Sequence, residues 1–113
     1  MSEALPILDT CYRLYKQLYS IDSSLPKAQY YRIGVSTEQT VLELIEHLIT
    51  AQNAPKLQKR IYLVQANTKL EIVRIKIRLY IELDLANQTR LFQTSAICND
   101  IGRMLGGWIK SVA

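Results

Sequence analysis

The apolar residues of this chain recur in steps of three and four along most of its length. Ile7, Cys11, Leu14, Leu18 and Ile21 keep a 4-3-4-3 spacing, the seam of an amphipathic helix running from about Leu5 to Ser20. Tyr12, Tyr15 and Tyr19 form a second stripe beside it. In the next segment, from about Lys27 to Ala51, the stripe is Val41, Leu44, Ile45, Leu48 and Ile49. A third runs from Pro55 to about Leu85, and a fourth from about Thr89 to Ser111 with Leu91, Cys98, Ile101, Leu105, Trp108 and Val112 at heptad spacing. The breaks are short. "SSLPK" offers Ser23 or Ser24 as a cap with Pro26 in a first turn, "TAQNAPK" offers Asn53 with Pro55, and "LANQT" is a brief connection. Four amphipathic helices joined this way predict an all-α, antiparallel up-down-up-down four-helix bundle, one domain over residues 1–113.

One stretch argues against a helix. "VRIKIRLYIEL", residues 73–83, alternates apolar and polar positions as a half-buried strand does. No other segment alternates, so a strand here would have no partner. Placed on a helix at about 100° per residue, the same residues divide into two faces. Leu63, Ala66, Leu70, Val73, Ile77 and Tyr80 make one stripe, and Ile61, Ile72, Ile75, Leu79 and Leu83 make another almost opposite. Asn67, Glu71, Arg74 and Arg78 lie between them on one side, Lys69 and Lys76 on the other. A helix in a small monomeric bundle needs one apolar face. The expectation is that this helix packs inward on its own bundle and outward, through Ile72, Ile75, Leu79 and Leu83, on a neighbouring subunit.

Composition supports helices. The chain has four Gly and three Pro, and none of either between Lys56 and Ile101. Gly34 is the exception inside a helix, where it costs about 1 kcal/mol relative to Ala, so close packing or a kink is expected there. Cys11 and Cys98 both fall on apolar stripes and read as buried reduced thiols. No apolar run approaches the roughly 18 residues of a membrane span, and no signal pattern opens the chain, so a cytoplasmic protein is expected.

Little of the chemistry is enzymatic. His47 is the sole histidine, and Glu38, Glu43 and Glu46 do not make paired Glu-x-x-His motifs with it. "GRMLGG" lacks the spacing and the Lys-Ser/Thr pair of a phosphate loop. We expect no catalytic residues, no metal and no cofactor. The cations say more. Fourteen basic against ten acidic residues give a net charge of +4. Arg74 and Arg78 are four apart, Arg60 sits on the neighbouring edge, and Lys56 and Lys59 stand at the start of the helix. A ring of subunits would multiply that cluster into a surface suited to phosphate backbones. Alternatively, Glu71 and Glu82 pair with the two arginines and leave little net field. Tyr30 and Tyr31, before Arg32, could interleave with the cations or belong to the core.

Three stretches resemble known proteins. "LPKAQYYRIG", with Pro26 and Gly34, resembles the Pro-Lys…Gly signature that opens the second helix in a superfamily of small bacterial four-helix bundles. "IGRMLGGWIKS", with Gly102, Arg103, Gly106 and Trp108, is similar to the C-terminal signature of one branch, the accessory variability determinant proteins of diversity-generating retroelements. "VRIKIRL" resembles that branch's third helix, where two arginines stand four apart. The resemblance implies a non-enzymatic bundle that forms a homopentamer with a positive surface. It implies binding to the element's reverse transcriptase and to template RNA or DNA, in support of mutagenic copying. The implied binding residues are Arg74 and Arg78, and by their position Lys69, Lys76 and Arg60 join them. The terminal motif is expected mostly to pack. No basic tail like that of some relatives follows, which implies weaker nucleic-acid binding. A sister branch, encoded within intervening sequences of ribosomal RNA genes, shares the Pro-Lys…Gly signature. It would make the chain an interaction scaffold without a reverse transcriptase.

Overall fold

The computed structural model describes residues 4–112. They form four helices, with no strand among the described residues. Helix α1 spans Ala4–Asp22. Helix α2 is continuous but built in three pieces: an α-helical start, Lys27–Gln29, a π-helical turn, Tyr30–Gly34, and the α-helical run Val35–Asn53. A 3-10 turn, Lys56–Gln58, leads into α3, Lys59–Glu82, and α4 spans Gln88–Ser111. The alternating stretch is therefore helical as far as Glu82, and burial of one of its faces outweighs its β propensity. Leu83 lies one residue beyond the helix.

The helices pack in a square, each touching its neighbours in the order α1, α2, α3, α4 and back to α1. The body measures 45 × 22 × 20 Å. Its core is the set of inward stripes. Ile7, Cys11, Leu14 and Leu18 meet Val41, Leu44 and Leu48, then Leu63, Leu70, Val73 and Ile77, then Cys98, Ile101, Leu105 and Trp108. A second cluster of Ile21, Leu25, Ile33, Tyr80 and Leu91 closes one end, beneath the α1–α2 and α3–α4 connections. Both cysteines are free and buried. Burial pushes the Cys11 thiol up to about 12 and the Cys98 thiol up to about 11, so neither is a thiolate at neutral pH.

The connections are closed by residues other than those the sequence suggests. Ser23 and Ser24 do not cap α2. Their hydroxyls donate back to Tyr19 O and Ile21 O, each at 2.8 Å, and finish α1 instead. Pro26 precedes α2, and its carbonyl accepts from Tyr30 N. Asn53 is the last residue of α2 rather than the cap of α3. The end of α2 is satisfied from the next helix, where Lys59 Nζ donates to Ala51 O at 2.8 Å and Gln52 O at 3.0 Å. Asn87 caps α4 by accepting from Arg90 N at 3.0 Å. At the end of α3, Asp84 takes a positive φ of 52°. Leu85 N bonds Tyr80 O and Asp84 N bonds Ile81 O, so the helix stops in a Schellman turn without a glycine.

Candidate interaction surface on the third helix

Two apolar faces on α3 are present, and the bundle covers one of them. Leu63, Ala66, Leu70, Val73, Ile77 and Tyr80 are buried. On the opposite side Ile61, Ile75 and Leu83 are about 60% exposed, Leu79 is 40% exposed and Ile72 is half-buried. Val64 extends this outer face toward the start of the helix, where Leu57, Arg60, Ile61, Val64 and Gln65 line a shallow hollow. The two faces differ in period. The inner stripe repeats every seven residues. The outer positions 61, 64, 68, 72, 75, 79 and 83 step by 3-4-4, an eleven-residue repeat interrupted only by Thr68.

The five cations singled out on this helix have different surroundings. Arg74 is half-buried and reaches across to α4. Its guanidinium donates through Nη1 to Asn99 Oδ1 at 2.6 Å and through Nη2 to Cys98 O at 3.2 Å, and Nε lies 3.3 Å from Glu71. Arg78 does not join it: it is exposed and donates through Nε to Glu82 at 3.0 Å. Lys69 pairs with Glu43 of α2 at 3.0 Å, an interaction that holds the Glu43 carboxyl below the usual range. Lys76 donates to Ser36 O and Thr40 Oγ1, both at 3.1 Å, and burial lowers its pKa. Arg60 is exposed beside Leu57 and Ile61, and among the described residues no hydrogen bond or ion pair involves it. The pairing of Glu71 and Glu82 with the arginines, the less eventful of the two readings of that strip, is the one observed.

The motif residues divide in the same way. Trp108 is in the core at 4% exposure. Gly102 makes room for Arg74, since a Cβ there would come 2.6 Å from Nη2. Gly34 lies in the π-turn, where a Cβ would meet Tyr30 Cδ1 at 2.9 Å and Asp22 Cγ at 3.2 Å, so both close packing and a helix irregularity occur there. Arg103 is exposed and pairs with Asp100 at 3.2 Å. Gly106 and Gly107 have nothing within 4 Å of an added Cβ. Packing within the chain accounts for Gly102 and not for Gly106.

His47 is half-buried on α2, and no group of three or more His, Cys, Asp or Glu side chains among the described residues is placed to hold a metal ion. No helix among them is long and apolar enough to cross a membrane.

These features define a class: a small four-helix bundle whose third helix presents an uncovered apolar edge flanked by cations. The model of the bAvd-like family matches residues 6–112, nearly the whole chain, and the protein belongs to that family. The match points to an accessory protein of the retroelement kind, from a family that is generally non-catalytic. A comparison with curated proteins found no match.

Proposed function

We propose that the chain is a non-enzymatic accessory subunit of a diversity-generating retroelement, acting as a homo-oligomeric scaffold that binds the reverse transcriptase and its template RNA or cDNA. The observation that carries this reading is the family match over residues 6–112. The outer edge of α3 supports the assembly. Ile72, Ile75, Leu79 and Leu83 present apolar surface that a second copy would cover, in a ring that the resemblance makes a pentamer. Within each subunit the helices alternate in direction. The Lys69–Glu43, Lys76–Ser36 and Lys59–Ala51 contacts support this, rising along one helix as they fall along the other. Arg60 and Arg78 on the exposed surface, repeated around a ring, would supply the phosphate-binding field. Lys69, Lys76 and Arg74 would contribute long-range charge from partly covered positions. The work of such a protein belongs in the cytoplasm.

Co-purification of the chain with the polymerase and template RNA across a salt titration tests the proposal. Retention that weakens steeply as salt rises is expected. No retention at low salt with both partners present would overturn it.

A second reading is favoured by one observation: Arg74, Arg78 and Lys69 all form ion pairs within the chain. In that reading the bundle is an oligomeric interaction scaffold without a reverse transcriptase, and its partner binding is insensitive to salt. The same titration separates the two.

A further inference from the structure

The end of the bundle where α1 meets α2 holds a polar cluster away from the outer edge of α3. A cleft of about 310 Å³ is lined there by Tyr19, Asp22, Lys27, Tyr30 and Glu38, among others. Asp22 is 2% exposed. Its Oδ1 accepts from the Tyr80 hydroxyl at 2.5 Å, while its Oδ2, closed off from solvent on the side of Glu38, has no hydrogen-bond donor among the described residues. Glu38, 9% exposed, lies beside it and accepts from the Tyr15 hydroxyl at 3.4 Å. Among the described residues neither carboxyl has an ion pair, and Lys27, though it lines the same cleft, pairs with neither. The π-turn sets this geometry. Gly34 lets the Tyr30 ring and the Asp22 carboxyl pack against one stretch of backbone. Two buried acids, an acceptor without a donor and aromatic rings at the mouth call for a cation with directed N–H groups.

We propose that this cleft is a binding site for one guanidinium group, which draws the Asp22 and Glu38 carboxyls toward it and donates to the pair while its plane lies against a tyrosine ring. The chemistry selects this cation. A protein site for a divalent metal commonly brings together three or more His, Cys, Asp or Glu side chains, and no such group is assembled among the described residues. An ammonium is compact and strongly hydrated. A guanidinium is flat, weakly hydrated, bonds carboxylates in a fork and stacks on aromatic rings. It can come from an arginine side chain of another polypeptide or from a small free molecule. Burial, with Glu38 adjacent, raises the Asp22 pKa to about 7, so the cation competes with a proton and binds better as pH rises. The other titratable groups facing the pair are the hydroxyls of Tyr15, Tyr19, Tyr30 and Tyr80 and the Lys27 ammonium. This inference does not rest on the retroelement role.

The test titrates the full chain with methylguanidinium and, separately, with N-acetyl-arginine methylamide at constant ionic strength, following the tyrosine ring resonances by NMR. Expected are saturable shifts of Tyr19 and Tyr30, Kd in the millimolar range, tightening about tenfold or more from pH 5.5 to pH 8. Methylammonium is expected to bind more weakly. Asp22→Asn and Glu38→Gln, with helical circular dichroism retained, should each weaken binding about tenfold. Tyr19→Ala, at a side chain 61% exposed, tests the ring without touching the core and should also weaken it. Tighter binding of the arginine derivative assigns the site to a polypeptide side chain; equal binding of both probes assigns it to a small guanidinium compound. Shifts that never saturate, that potassium chloride reproduces, or that persist unchanged in both Asp22→Asn and Tyr19→Ala overturn the proposal and leave the cluster a proton-sharing structural network.

Discussion

The Arg74 guanidinium lies over the backbone of α4 at Gly102, so close that a methyl group on residue 102 would stand 2.6 Å from Nη2. The arginine thereby fastens α3 to α4 through Asn99 and the Cys98 carbonyl. Gly102→Ala should push the tip of Arg74 off these partners. The displaced atom is the end of a flexible side chain, so the helices themselves need not move. The expected net cost is about 1 kcal/mol in urea unfolding, because the charge-assisted hydrogen bonds lost between the helices outweigh the roughly 1 kcal/mol that Ala gains over Gly in helix propensity. In an Arg74→Ala background the same change should cost nothing or stabilise, and that non-additivity is the measurement that checks the interaction.

The buried Asp22 carboxyl makes stability depend on pH in a direction opposite to most acids. Its folded-state pKa is raised, so its contribution is whole below about pH 4 and is lost as pH rises through about 7. Asp22→Asn keeps an oxygen to accept from the Tyr80 hydroxyl and removes the charge. Relative to the parent chain, the variant should gain stability between pH 5 and pH 8, by an amount on the order of 1 kcal/mol or more. Urea midpoints of both proteins at the two values check this.

The outer edge of α3 separates folding from assembly. Ile75 and Leu79 are 60% and 40% exposed, so replacing both with Glu should leave the unfolding free energy of a subunit within about 0.5 kcal/mol for each site. The same pair of charges should dissolve any oligomer that buries the edge. Light scattering on a sizing column, parent against Ile75→Glu with Leu79→Glu, reads the mass directly. An unchanged mass would remove this edge from the interface.

Gly106 stands in the interior of α4 with open space where a side chain would be. Gly106→Ala should therefore stabilise an isolated subunit by up to about 1 kcal/mol. If another chain approaches α4 there, the substitution weakens association while it strengthens the fold. Thermal unfolding together with a concentration series measures both effects.

Helix periodicity alone carried most of the architecture. The inward stripes of the first and third segments are buried residue for residue, Ile7 to Ile21 and Leu63 to Tyr80, because burial in a bundle repeats with the helix. In the second, Val41, Leu44 and Leu48 are buried but Ile45 is half-buried and Ile49 is 44% exposed, and in the fourth Val112 is half-buried. Ends were less legible. Ser23, Ser24 and Asn53 are good capping types, yet the first two close the preceding helix and the third ends its own. A hydroxyl that can bond forward or backward carries no sign of which way it will turn. The candidate cations were legible by position and not by partner. Arg74 and Arg78 share a side of α3 at four-residue spacing, but their guanidiniums separate because Asn99 and Cys98 O draw one across while Glu82 holds the other. The Asp22–Glu38–Tyr80 cluster left no trace in spacing at all, since its members stand on three different helices.

The mismatch of periods along α3 has a mechanical result. A seven-residue seam winds with a left-handed twist around its neighbours, whereas an eleven-residue one is slightly overcorrected the other way. The twist that seats α3 in its own subunit therefore does not carry the outer edge around with it. Over the roughly 36 Å of a 24-residue helix that edge drifts by about 40° around the axis, in the sense opposite to the inner seam. A helix that follows that edge from end to end would therefore wrap with the hand opposite to the one a seven-residue seam sets inside the subunit.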